Sequence, residues 1–594
     1  MVVATVATLL SVPGQAQMRL GGKVEDVRLG GDVEELRLGG QAGPKTRSGR
    51  SGPTDWSHGR IMAARFGPDG DRNIFRNWRT VRKQMLLQRA QESRDSNEDW
   101  LDRIYSRKRK SPADNEAPLL DWNLRTGGYG NVVGSPAKYN WDISNYNCSD
   151  VIYFTVDQPG TASAPNVIAI TNAYAGCSGN ATGATPTVKF GIALPFGTAT
   201  SAVPSFDGTV LYVIQSRPSA NGGPILHAIN VNNITTSPGA YNFTTNVWTQ
   251  THTLLASPIG TATSEQLFQL TYSGITNNVA SPYLDYDTNQ LFFGDSGGRI
   301  HRVTGVNTAA AAKYTSNGFP VFCGTAQVQS PVYWANQIYT ASADGKVYRI
   351  NLAGATPYAS VASVQAGAGT ATVGGGMSAP ILDVTNDRLI SGSNNANGGG
   401  GRGIGALDLN FSAGELPTSF VYTGTASTTI APVPPTFDDA FWSTNNGSVY
   451  ASGTNVAGTN TYLIRASYNG EVGAITGRAA LHHTSSNQVV ATSPVTEFLT
   501  GAASNPDFLF IGGASGNYRY MNRISAGFTG SDSTPSAMAG NFAPLSGQGV
   551  ISGIIIDTNL AQMTGSTAKA NIYFGTIGVA STTMSTIVQL AQAF

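Results

Sequence analysis

The sequence predicts an all-β protein built from repeated four-stranded units that close into a ring. Three observations lead there. The 594-residue chain carries 70 glycines and only 12% charged residues, where about 25% charge is usual. That balance suits many short strands joined by tight turns and excludes helical bundles and highly charged disorder. A strand–turn–strand pattern recurs roughly every 60 residues, near the period of a four-stranded blade. The last copy lacks a fourth strand, and a segment just ahead of the first copy can supply one.

The pattern is clearest in SPVYWANQIYTASADGKVYRINL (330–352). A first strand follows Ser330-Pro331, a second runs over 337–342, Ala343-Asp344-Gly345 turn the chain, and a third runs over 346–352. Proline at a strand's first position needs no ladder donor, and Asp-Gly suits a tight hairpin. Alternation along Lys346, Val347, Tyr348, Arg349 and Ile350 sends successive side chains to opposite faces. SPYLDYDTNQLFFGDSGGRIHRV (281–303) matches strand for strand, and further copies start at Ser378 and Ser201. Looser copies start at Ser135, Ala431, Ser493 and Ser552. Eight starts predict a β-propeller of eight four-stranded blades over 118–594, with seven blades as the alternative. After NIYFG and STIVQLAQ the final copy has no further strand, so APLLDWNLRT (117–126) is expected to close the ring.

Ahead of the blades lies a charged extension, expected to be partly helical or disordered. Residues 1–17 read as a signal segment, with an apolar run too short to span a bilayer and small residues up to Ala16. Residues 18–43 repeat Arg-Leu-Gly-Gly every nine residues. Residues 44–117 read as a linker followed by a basic amphipathic helix over 73–94, where Ile74, Trp78, Val81, Met85 and Leu86 share helical spacing. The net charge is +1 and the blade region is nearly free of charge, so no global field draws nucleic acid. No other apolar run is long enough for a transmembrane helix. In an exported protein Cys148 and Cys177 can pair across one hairpin, leaving Cys323 over; three buried thiols are the alternative.

The residues of 281–303 and 330–352 resemble the repeats of quinoprotein-like (PQQ-like) β-propellers. That family includes quinone-dependent dehydrogenases and many non-enzymatic binding or scaffold propellers, so the resemblance implies a fold and not a chemistry. Quinone chemistry calls for calcium-holding carboxylates, a carboxylate base and often adjacent cysteines. The inter-blade connections offer none of these: 196–200, 274–280, 324–329, 372–377, 425–430, 487–492 and 547–551 contain no Asp, Glu, His, Lys or Arg. The chain is therefore read as belonging to the non-enzymatic branch, with no cofactor and no metal.

Other motifs reduce to turns. GDSGGR (294–299) superficially matches the nucleophile segment of chymotrypsin-like proteases, yet it falls at the turn that reads ASADGK in the neighbouring copy. His227 and His301 occupy matching third-strand positions and are expected to be structural; His482-His483 has no carboxylate nearby in sequence. The candidate binding residues are Asn394, Asn395, Asn397 and Arg402 of the long glycine loop, with the aromatics Tyr333, Trp334 and Trp442. Such a face can hydrogen-bond and stack on protein or carbohydrate at the cell surface. The expected function is an exported, non-catalytic binding or scaffold module, secreted, periplasmic or at the cell surface, of unknown oligomeric state. The alternatives are an enzyme on the propeller face, either a degenerate quinoprotein oxidoreductase or a polysaccharide-active enzyme, and a structural assembly subunit. Acidic residues converging on one cavity, drawn from Asp142, Asp285, Asp383, Asp438, Asp439, Glu497 and Asp557, would favour the enzyme.

Overall fold

A computed structural model describes three short strands before residue 118 and, from Leu119 to Ala593, the strands of the ring with most of their turns. Residues 1–17, 26–51 and 55–118 and loops such as 366–377, 397–400, 438–445, 499–507 and 559–568 lie outside the described residues, and with them the signal segment, the basic helix, Asn397 and Trp442. The chain divides into Met1–Thr46 and Arg47–Phe594. In the first unit Met18–Leu20 pairs antiparallel with Lys23–Glu25 across the first Arg-Leu-Gly-Gly copy.

The second unit holds eight successive sheets, one at each repeat start, antiparallel except where Leu481–His482 pairs parallel with Ser536–Ala537. Sheet 1 is Ala137–Asn140, Val151–Thr155, Val167–Thr171 and Thr187–Ile192; sheet 2 is Val203–Pro204, Val210–Gln215, Ile225–Asn230 and Gln266–Thr271. Sheet 3 starts Tyr283–Asp285, Gln290–Gly294 and Arg299–Thr304, its outer edge shared by Ala312–Lys313 and Val321–Phe322. Sheet 4 is Val332–Trp334, Gln337–Ala341, Lys346–Asn351 and Val361–Gln365, and sheet 5 runs from Ile381–Asp383 to Ser419–Thr425. Sheets 6 and 7 are built on the hairpins Asn446–Thr454/Thr461–Asn469 and Phe508–Ser515/Tyr518–Ser525. Sheet 8 is Ile555–Thr558, Lys569–Gly575 and Thr586–Ala593, completed by Leu119–Arg125. The closing strand is the one expected from the sequence, and it runs antiparallel from Leu119↔Ala591 to Arg125↔Thr586 with one bulge after Leu120. Trp122 and Leu124 are buried by it. Among the described residues there is no α-helix.

The packing explains why the strands read as continuous apolar runs. In Gln290–Gly294, Leu291 and Phe293 enter the cluster shared with sheet 2, while Phe292 enters the cluster shared with sheets 4 and 5. Alternate side chains thus serve two different interfaces, and both faces of the sheet are dry. Comparable clusters join sheets 1 and 2, 5 and 6, and 8 and 1. First strands of neighbouring sheets approach one another, which puts them nearest the ring axis. There a relay of small residues packs them: Ser135 N donates to Ser201 Oγ at 2.9 Å, and Ser201 N to Ser281 Oγ at 3.3 Å. Gly553 continues it, for a Cβ there would lie 1.8 Å from Ser135 Oγ.

One excursion ties three sheets together. Between the third and fourth strands of sheet 2 the chain leaves, runs beside Ile192 of sheet 1 at His252, and forms the hairpin Tyr241–Asn242/Val247–Trp248. Arg125 of the closing strand donates its N–H to Tyr241 Oη at 2.8 Å and accepts Trp248 Nε1–H at 2.9 Å. The hairpin therefore occupies backbone groups that an outer strand leaves open.

Candidate functional site

The strands have two ends, and these build two faces of the ring. At the end formed by inter-blade connections and second-to-third-strand turns, polar groups are turned inward. Asp295 accepts Arg299 N–H at 2.9 Å through Oδ1 and meets His301 Nε2 at 2.8 Å through Oδ2. Burial pushes its carboxyl up, but His301 and the Arg299 and Gly297 N–H groups outweigh this and hold it below the usual carboxylate range. The His301 ring stacks on Phe293 at 4.8 Å and meets Tyr272 edge-on. GDSGGR is thus a turn clamped by its own aspartate, as its place in the repeat predicts.

The matching positions of sheet 2 hold His227 between two carboxamides. Its Nδ1 lies 2.9 Å from Gln266 Oε1, its Nε2 3.0 Å from the Gln215 amide, and burial lowers its pKa to about 4. Gln266 Nε2 donates to Leu255 O and Gln215 Nε2 to Phe196 O, which aims both Oε1 atoms at the ring. In sheet 4 the same position is Tyr348, whose hydroxyl donates to Asp344 Oδ2 at 2.8 Å. Cys323, between the turns of sheets 3 and 4, is buried, and burial together with Asp344 and Asp295 pushes its thiol up to about 12. A thiol so protonated is a poor nucleophile. Among the described residues no group of three or more His, Cys, Asp or Glu is placed to hold a metal.

The opposite end, formed by first-to-second-strand turns, carries aromatics in four successive sheets: Trp141, Phe206, Tyr286 and Trp334. Tyr139 and Trp141 meet edge-on at 5.0 Å, and Tyr139 Oη donates to Phe206 O. Phe206 and Tyr286 meet edge-on at 6.0 Å, and Tyr286 Oη donates to Pro204 O. The arc is therefore braced from sheet 1 to sheet 3, while Phe206 stays 36% exposed. Acids at this end serve turns. Asp285 accepts from Thr288, and Asp383 accepts from Asn386 N, Asn386 Nδ2 and Tyr468 Oη of sheet 6.

Of the residues singled out from sequence, Tyr333 is buried, stacked on Phe292 at 5.4 Å, with its hydroxyl on Asn336 Oδ1. Trp334 is half-buried beside it, at the aromatic end. Asn394 and Asn395 end the second strand of sheet 5 and Arg402 starts its third, at the other end of the strands. Asp142, Asp438 and Asp439 lie outside the described residues. Cys148 and Cys177 form a disulfide, and Cys323 is free. Sequence reasoning missed the centre beside that disulfide. Lys138, fully buried, lies 3.7 Å from Asp150, which also accepts Tyr174 Oη at 2.7 Å and Trp141 N at 2.8 Å. A strand lysine reads as solvent-facing, and only its unbroken apolar neighbours hint otherwise.

No family model matches the chain, and no curated protein matches it. Solved structures do. BamB from Moraxella catarrhalis aligns over 80% of this chain and 97% of its own at 10% identity, TM-score 0.38. Sqt1 of Saccharomyces cerevisiae aligns over 81% and 99% at 11% identity, TM-score 0.44. The computationally designed protein Ika8 aligns over 79% and 99% at 8% identity, TM-score 0.40.

Proposed function

We propose that the protein is a non-catalytic binding scaffold of the non-enzymatic, quinoprotein-like kind, working outside the cytoplasm, and that its aromatic arc receives a protein partner. The observation that carries this reading is the arc itself. Trp141, Phe206, Tyr286 and Trp334 recur at one end of four adjacent sheets, and the first three of those sheets are tied there by Tyr139 Oη to Phe206 O and Tyr286 Oη to Pro204 O. Rigid, half-exposed aromatics bind with little loss of side-chain freedom and serve as interface anchors. The acid–base groups of the other end support the same reading, since Asp295 and His301 are spent on a turn and on each other, and His227 on Gln266 and Gln215. The disulfide supports an oxidising compartment.

The test is affinity capture from a native envelope fraction, run with wild type, Phe206→Ala and Trp334→Ala, alongside a glycan array. Capture of a defined protein that both variants lose supports the reading. Binding to glycans alone, or capture indifferent to both variants, overturns the protein-partner assignment.

A further inference from the structure

Among the described residues, the strand Gly52–Thr54 lies in a place that no other sheet fills. It pairs antiparallel with the first strand of sheet 1, with Gly52↔Asn140, Pro53↔Tyr139 and Thr54↔Lys138. That first strand already pairs on its other side with Val151–Thr155. Since first strands lie nearest the axis, Gly52–Thr54 sits on the inner edge, facing the middle of the ring. In sheets 2 to 6 and in sheet 8 the first strand is itself the terminal strand among the described residues.

The occupant has the marks of a replaceable one. It is three residues long, and Pro53 has no N–H to give to a ladder. Glycine and proline are poor strand formers, unlike the valines and isoleucines that build the ring. Each ladder bond contributes only about 1 kcal/mol net. In sequence, 64 residues (55–118) separate it from the closing strand. The edge it covers leads directly to Asn140 and Trp141, the first member of the aromatic arc.

We propose that the inner edge of Ala137–Asn140 is a strand-addition site for an extended protein segment containing a Gly-Pro step, kept closed in the free protein by its own Gly52–Thr54. Recognition runs through main-chain N–H and C=O groups in a ladder, which a protein segment offers and a glycan does not. A partner segment that pairs over all four residues of the edge and reaches Trp141 outcompetes a three-residue plug. This rests on the binding-scaffold reading for its purpose, but its test does not.

The test uses the full chain and its Gly52→Pro/Thr54→Pro variant, which removes two more N–H groups from the plug. Two readouts are taken: hydrogen exchange of the Ala137–Asn140 amides, and anisotropy of a labelled peptide of residues 47–57. Exchange at Ala137–Asn140 is expected to rise at least tenfold in the variant and to fall again when peptide is added. The peptide is expected to bind the variant at least tenfold tighter than wild type, and a peptide carrying the same two prolines is expected not to bind. Unchanged exchange would overturn the plug. Raised exchange with equal or no peptide binding would overturn the docking site. Both outcomes are independent of envelope capture, so this proposal and the aromatic-arc reading fail separately.

Discussion

Replacing Trp248 with alanine should loosen the closing strand before anything else. The indole is 3% exposed and packs in the cluster between sheets 8 and 1 with Trp122, Ile152 and Tyr573. Gly191 is shaped around it, since a Cβ there would lie 2.4 Å from the ring. Removing a buried tryptophan costs about 3–5 kcal/mol in transfer and cavity terms. It also leaves Arg125 O without its donor, so about 4 kcal/mol is the working figure. At 1.36 kcal/mol per tenfold, that is a roughly thousandfold rise in opening of Leu119–Arg125. Hydrogen exchange followed by mass spectrometry reads it directly, with the distant strand Lys346–Asn351 as internal reference. Tyr241→Phe, which removes the acceptor for Arg125 N–H and the donor to Asn246 Oδ1, should give about 1–2 kcal/mol in the same peptides. If exchange at Leu119–Arg125 rises only in step with the reference strand, the hairpin contributes to global stability alone and the clasp argument is wrong.

Three further outcomes follow from sites already described. His227 has a folded pKa of about 4 against 6.5 unfolded, so the unfolded state takes the proton first. Its contribution is fully present above pH 6.5 and is lost as pH falls toward 4, by about 3 kcal/mol; urea midpoints of wild type and His227→Gln across that window should converge at the acid end. Cys148→Ser with Cys177→Ser opens a loop of 29 residues and should cost about 3–4 kcal/mol, read as a midpoint shift that reducing agent reproduces in wild type only. Ala335 stands at φ 48° in a two-residue turn with Asn336 at φ 60°. Glycine there should raise stability by about 0.5 kcal/mol, because it removes left-handed strain larger than its own entropy cost, measured by denaturant midpoint.

The blades were legible because their punctuation is local. Ser330-Pro331, Asp344-Gly345 and the alternation along 346–350 state strand, turn and face within twenty residues, and Val332–Trp334, Gln337–Ala341 and Lys346–Asn351 follow. The matched places of His227 and His301 were legible for the same reason, since register carries them to Val213 and Phe293 of the preceding strands. What local signals cannot carry is pairing chosen at a distance. Residues 41–60 have the composition of a linker, yet Gly52–Thr54 finds an edge some 85 residues on. The hairpin at Tyr241 and Trp248 follows no repeat, and nothing near it in sequence names Arg125 as its target. The candidate residues were recognised, but which strand end each occupies depends on the neighbouring turn: Trp334 ends a first strand, and Arg402 is the second residue of a third.

The pairing of Leu119–Arg125 with Thr586–Ala593 has a consequence for the order of events during synthesis. The earliest-made strand of the ring bonds to the latest-made one, so seven sheets can assemble as they emerge while the eighth waits for about 460 residues of further translation. Until then, sheets 8 and 1 each hold an open apolar flank, and a growing chain is a curved strip rather than a wheel. How soon Thr586–Ala593 reaches Leu119–Arg125 then decides whether the ring closes on itself or on a neighbour.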